Sequence, residues 1–229
     1  MRKRYVNNLD DYPPPARDIF SEDYWKDGVT SLLTSRGCPF HCSFCQVSEE
    51  WKICRYHSAK RIVNEIKELV NKYKIHTIGI IDDLFIANKV RIKEIIKLLK
   101  KEGLLGKIRF AVNGRSNLIT KELTKLLKEM GVAEIALGLE SMSPKILPLL
   151  KDRATVEDNK NAVKIIYNSG LKTGGLFMIG TPSETIEDMK ITYEYVKENR
   201  HKFGGMQICV TTPLPKTKLW VCVSKKFNQ

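Results

Sequence analysis

Short apolar runs alternate with stretches of helical periodicity along most of this chain, and that alternation predicts a series of strand–helix units. Val29 to Thr34 reads as the first strand. A helix follows from about Ser58 to Tyr73, with Ile62, Val63, Ile66, Leu69, Val70 and Tyr73 on one face. His76 to Ile81, Ile108 to Val112, Ala133 to Leu139, Leu171 to Ile179 and Met206 to Val210 read as further strands. Helices fall between them: Lys89 to Lys101 ahead of Gly103, and one opened by Thr120 and closed before Gly131. Two more are opened by Thr155 with Asp158 and by Thr185 with Asp188, each pair spaced as a capping box. Ser143-Pro144 supplies a cap and a first-turn proline after the fourth strand.

Nearly continuous apolar strands separated by helices indicate a parallel sheet covered by helices. Six such units fall short of the eight that close a full barrel, so the expected fold is α/β, an open six-unit (βα)6 partial TIM barrel. In such folds chemistry gathers at the carboxyl ends of the strands. The strands here run into Thr34-Ser35-Arg36, Asp82-Asp83, Asn113 with Arg115, Glu140-Ser141, Gly180 and Thr211-Thr212, a succession of polar or permissive residues where that rule asks for them. The expected organisation is a lead-in over residues 1–28, a core domain over 29–220 and a short tail over 221–229.

Charge changes this picture little. The 39 basic and 26 acidic residues leave a net +13, which raises nucleic acid as a partner. The lysines, however, lie along helix faces, as in Lys93, Lys97, Lys100 and Lys101, and solvated faces explain that spacing without RNA. No apolar run reaches the ~20 residues of a membrane span. The start lacks the apolar centre of a signal peptide, so a cytoplasmic location is expected.

The cysteines change it most. Cys38, Cys42 and Cys45 stand as C-x-x-x-C-x-x-C within the run from Arg36 to Gln46, with Pro39, Phe40 and Phe44 as a stiff apolar wrap. Three thiolates from one loop suit three irons of a [4Fe–4S] cube and leave the fourth iron open, whereas an electron-carrying cluster normally takes four cysteines. A structural zinc site wants a second cysteine pair some way off, and none follows. Cys54, Cys209 and Cys222 are scattered singly and are expected to be small buried thiols, with Cys54 near enough to the loop to serve as a fourth ligand or a resolving thiol.

The CxxxCxxC spacing, with Phe44 before its last cysteine, resembles the radical S-adenosylmethionine (radical SAM) superfamily. The resemblance implies that Cys38, Cys42 and Cys45 hold a [4Fe–4S] cluster and that S-adenosylmethionine chelates the open iron. It implies reductive cleavage of that cofactor to a 5′-deoxyadenosyl radical, which abstracts hydrogen from a substrate the sequence does not name. Asp82-Asp83 occupies the place of the family's acidic methionyl-amine motif, with IIDD standing where glycines and a glutamate are usual. GLES, with Glu140 and Ser141, resembles the ribose-binding segment, Asn113 and Arg115 lie in position to help, and Arg153 resembles a carboxylate-binding arginine. GGLFMIGTPSET, with Ile179 and Gly180, resembles the fifth-strand adenine motif, and TTPLPKTKLW, with Thr211 and Pro213, the sixth-strand segment.

LDDYPPPARDIF, Leu9 to Phe20, resembles the connector to a cobalamin-binding domain in one subgroup, which leaves cobalamin open as a further cofactor. No cobalamin ligand loop and no Rossmann-like segment accompany it, so a core with a separate cobalamin- or substrate-binding domain is expected. Flavodoxin or ferredoxin is the implied electron donor. A binding module that holds iron–sulfur or zinc without turnover is the competing reading.

Overall fold

The computed structural model describes residues 6–51 and 53–227, and the basic tip at residues 1–5 and the tail end at 228–229 lie outside the described residues. Six parallel strands form one sheet in sequence order: β1 (Val29–Leu32), β2 (Thr77–Ile80), β3 (Arg109–Gly114), β4 (Val132–Glu140), β5 (Lys172–Ile179) and β6 (Phe203–Val210). Neighbours pair in parallel throughout, for example Leu32 with Ile80 and Ile80 with Val112. Between them run α1 (Ala59–Tyr73), α2 (Lys89–Lys101), α3 (Lys121–Met130), α4 (Val156–Asn168) and α5 (Ile186–Glu198), and α6 (Lys218–Phe227) follows β6. β1 and β6 stand at opposite ends of the strand order, so the sheet is an open partial barrel.

The helix-facing side of the sheet carries the core. Ile78, Ile80, Phe110, Val112, Ile135, Leu137 and Phe177 are buried there against α1 to α4, with Ile66, Leu69, Ile92, Ile95, Leu123 and Leu127 fully enclosed. The other side differs from what continuous apolar runs suggest. Gly79, Ala111 and Ala136 are small and half-buried, and Ile81 at the end of β2 is 55% exposed. A closed barrel fills this face with layers of side chains; an open one leaves a trough.

The helix starts follow their caps. Ser58 accepts from Arg61 N and Thr120 from Leu123 N, and both capping boxes form. Asn88 caps α2, accepting from Arg91 N. β6 begins at Phe203, ahead of the expected Met206, because Gly204 and Gly205 hide strand character that ladder pairing with β5 supplies. α6 crosses the expected boundary at 220/221. The lead-in packs on α1 through a buried Arg17–Glu65 ion pair of 2.6 Å and through Asp10, which accepts from Ser58 N and lies 2.9 Å from His57 Nδ1. A cavity of about 790 Å³ lies between the lead-in, α1 and β1, lined by Tyr12, Phe20, Trp25, Thr30 and Arg36 among others.

Asp188 ties the turn after β4 to the start of α5. It accepts from Ser143 Oγ at 2.7 Å, from Thr185 N at 2.9 Å and from Lys145 Nζ at 3.0 Å. The Ser143 hydroxyl, the Thr185 groups and the Lys145 ammonium together hold its carboxyl far below the ordinary 3.8. A depressed carboxylate stabilises the fold fully above its unfolded pKa, and that contribution drains as pH falls towards the folded value. Asp188→Asn should therefore lower the urea midpoint at pH 7 and flatten its fall below about pH 4. Parallel acid limbs for the two proteins would count against this role.

Candidate active site

The cysteine loop leaves β1 through Thr34 and returns through a two-residue hairpin, Ser35–Arg36 against Arg55–Tyr56. Gly37 makes this possible. Its φ is +94°, and a Cβ there would stand 2.9 Å from Ile53 O. Two clamps then fix the loop from opposite sides.

The first comes from the end of β2. The Asp82 carboxylate, fully buried, accepts from the backbone N–H of Thr34 and Ser35 and from both hydroxyls. Arg91 donates to the same carboxylate at 3.2 Å and to Thr34 O at 2.7 Å, and Asp83 accepts from Gly37 N at 2.9 Å. Burial pulls the Arg91 pKa down, and the Asp82 carboxylate opposes that pull. The aspartate side chains thus hold the loop, while the Asp82 backbone oxygen accepts from Asn113 Nδ2 at 3.3 Å.

The second clamp is the segment after β4. Ser43 N donates to Leu150 O at 2.9 Å, Ser43 Oγ to Leu149 O at 2.6 Å and His41 N to Asp152 Oδ1 at 3.2 Å. The start of α6 joins it, with Leu219 N donating to Ser43 O at 2.9 Å. Arg115, 4% exposed, reaches across from β3 and donates to Cys42 Sγ at 3.0 Å, to Asn117 Oδ1 at 3.0 Å and to the Asp152 carbonyl.

Cys38, Cys42, Cys45 and Cys54 are half-buried thiols. Burial, with further increments from Cys42, Cys45 and Cys54, pushes the Cys38 thiol up to about 11. Among the described residues no three His, Cys, Asp or Glu side chains are gathered as around a single metal ion. Three thiols in one pre-clamped loop, crowding each other electrostatically beside a fixed guanidinium, fit a cluster that needs anionic sulfurs and a cation to balance them. Cys54 lies beside Gly37 across the hairpin, and burial also raises its pKa. Cys209 and Cys222 are exposed, contrary to the expectation of buried thiols, because β6 is an edge strand and α6 packs mainly through Leu219.

The remaining expected residues separate into groups. Glu140 is buried at a bulge with φ +60° and pairs with Lys151 Nζ at 3.5 Å; burial pushes its carboxyl up and Lys151 pulls it back. Lys151 also donates to Gly138 O, and a Cβ at position 138 would run into the Glu140 carboxylate. Gly180, with φ +77°, Ile179 and Thr211 meet where β5 and β6 end: Thr211 N donates to Ile179 O at 2.7 Å. Pro213, which follows β6, and Phe44, in the cysteine loop, are half-buried. Two residues are turned elsewhere. The Ser141 hydroxyl is enclosed and accepts from Ser143 N at 3.1 Å, serving the turn. The Arg153 side chain is 74% exposed, with Asp152 beside it at 3.7 Å. Lys151, Asp152 and Arg91 carry no sequence motif: Arg91 reaches Thr34 and Asp152 reaches Arg115 across long stretches of chain, and Lys151 meets Glu140 across a turn.

The Radical SAM superfamily model matches residues 32–196, from the end of β1 through the cysteine loop to within α5. The chain belongs to that superfamily. Radical SAM relatives include an uncharacterized methyltransferase of Pyrococcus horikoshii, 36% identical over 219 residues that make up 94% of this chain and 47% of the relative. The anaerobic magnesium-protoporphyrin IX monomethyl ester cyclase of Cereibacter sphaeroides is 30% identical over 223 residues, 90% of this chain and 36% of the relative. The chain thus spans between about a third and a half of the length of these relatives. The solved structure of the cobalamin-dependent S-adenosylmethionine radical enzyme OxsB, with aqua-cobalamin and S-adenosylmethionine bound, matches with TM-score 0.80 at 20% identity, covering 98% of this chain and 39% of that one. The radical SAM methyltransferase TsrM of Kitasatospora setae, with cobalamin and a [4Fe–4S] cluster bound, matches with TM-score 0.78 at 20% identity, covering 89% and 38%. These likenesses establish the open-barrel fold. Among the described residues no helix is long and apolar enough to cross a membrane.

Proposed function

We propose that this chain is the catalytic core of a radical S-adenosylmethionine enzyme. The observation that carries the reading is the loop of three thiols, clamped from two sides at the carboxyl end of an open parallel sheet. Cys38, Cys42 and Cys45 would hold a [4Fe–4S] cluster and leave one iron for S-adenosylmethionine, and the bound pair would supply reductive cleavage of the sulfonium as the source of hydrogen abstraction.

The chain's own part is to bind and to exclude water. The Asp82 carbonyl retains a lone pair beside its bond from Asn113, an acceptor suited to the methionyl ammonium. Lys151 favours the ionised form of Glu140, the form that accepts from both hydroxyls of a ribose. Ile179, Gly180, Thr211 and Pro213 line the adenine side, and a Cβ at Gly180 would meet only Val210, so the space above that backbone is open to a ring. Phe44 and Phe40 keep water from the sulfurs. Flavodoxin or ferredoxin is the partner class that delivers the electron, and the oxygen sensitivity of such a cluster favours the cytoplasm.

The relatives named as methyltransferases, and the cobalamin carried by two structural neighbours, favour corrinoid-assisted methyl transfer as the reaction class, with cobalamin held by a separate domain. Anaerobically reconstituted protein, reduced with dithionite, should convert S-adenosylmethionine to equal amounts of methionine and 5′-deoxyadenosine. Full iron and sulfide loading without that product would overturn the catalytic reading. One zinc and no sulfide would favour a metal-binding module instead.

A further inference from the structure

We infer that Arg115 sets the reduction potential of the cluster, acting as a tuning and positioning residue rather than as a ligand of the cofactor carboxylate. The inference rests on the reading that the three cysteines hold a [4Fe–4S] cluster. Arg115 was expected beside the ribose or the carboxylate, and its donors are committed elsewhere. Nη1 points at Cys42 Sγ at 3.0 Å, Nε at Asn117 Oδ1, and Nη2 at the Asp152 carbonyl and, at 3.3 Å, its carboxylate. One face of the guanidinium lies 3.9 Å from the Phe40 ring centroid. The group is therefore fixed by its partners on its edges and by an aromatic plate on its face. Little of it remains for a substrate carboxylate.

A guanidinium stays charged at any working pH. Here it is buried, so its field on the neighbouring sulfur is screened far less than at a surface. Cluster potentials follow net charge, hydrogen bonds to sulfur and solvent exposure. The one-electron reduced cluster carries one more negative charge than the oxidised one. A cation donating to a ligand sulfur stabilises the reduced form more, and Arg115 raises the midpoint. Asp152 pairs with Nη2 of the guanidinium, the nitrogen next to the one that faces the sulfur, and offsets part of its charge. Removing the carboxylate charge of Asp152 should move the midpoint the opposite way.

The test is an EPR-monitored redox titration, without S-adenosylmethionine, of reconstituted wild-type protein, Arg115→Met and Asp152→Asn. Arg115→Met should shift the midpoint negative by at least tenfold in the reduction equilibrium constant, which is 59 mV for one electron. Asp152→Asn should shift it positive. A merely structural Arg115 would lower the fraction of protein that loads a cluster and leave the midpoint of the loaded fraction unmoved, which would overturn the inference. Should Arg115→Met fail to load, Asp152→Asn decides alone: an unmoved or more negative midpoint defeats the proposal. Iron and sulfide analysis of the wild-type sample reports separately on the cluster itself, so failure of that reading is distinguishable.

Discussion

Replacing Cys42 with alanine should strip iron and sulfide from the reconstituted protein and abolish 5′-deoxyadenosine formation while the fold survives. A cube held by three protein ligands loses a third of its anchorage with one thiolate. Disturbing groups around a metal ligand costs roughly 10–100-fold in affinity or activity, and losing a ligand should exceed that. The fold survives because the clamps use other atoms: Ser43 N and Oγ, His41 N, Gly37 N and the Thr34 and Ser35 donors. Of the loop's contacts just described, only the bond from Arg115 needs the Cys42 sulfur. Circular dichroism melts paired with iron analysis check both halves. Retained iron at wild-type level would show that Cys42 is not a ligand.

Asp82→Ala should do the reverse and damage the fold first. Its carboxylate accepts four bonds from Thr34 and Ser35 and pairs with Arg91, which is 4% exposed and lies between the Phe85 and Tyr56 rings at 5.3 and 4.7 Å. Removing one partner of a buried pair leaves an uncompensated charge and costs about 3–5 kcal/mol. For a domain of this size each kcal/mol moves the melting temperature by about 2–4 °C, so a drop of about 10 °C is expected. Asp83→Ala removes only the bond to Gly37 N, an exposed acceptor worth about 1 kcal/mol. Thermal unfolding of the two variants side by side measures the contrast, and equal melting temperatures would refute the assignment of Asp82 as the anchor.

The open barrel was legible in the sequence because its signals are local. Thr155 with Asp158 and Thr185 with Asp188 announce helix starts within four residues, and the capping boxes form as spaced. The C-x-x-x-C-x-x-C loop is local too. What could not be read depends on residues distant in the chain. Asp82 reads in sequence as a cofactor residue, and the bonds of its carboxylate to Thr34, Ser35 and Arg91 add a structural part that no local motif carries. Arg115 looked like a cofactor partner until the Asp152 segment folded back beneath it. Lys151 carries no motif of its own, and only the bulge at Glu140 brings the two together. The hairpin of Ser35–Arg36 with Arg55–Tyr56 is too short for periodicity to register.

The whole account depends on an iron that no side chain claims. EPR spectra of the anaerobically reduced, reconstituted protein, recorded before and after adding S-adenosylmethionine, address that point directly. Direct coordination of the cofactor should change the g-values of the reduced cluster while the iron count stays constant. A spectrum that does not respond to saturating S-adenosylmethionine would mean that the corner is filled by the protein and would contradict the account.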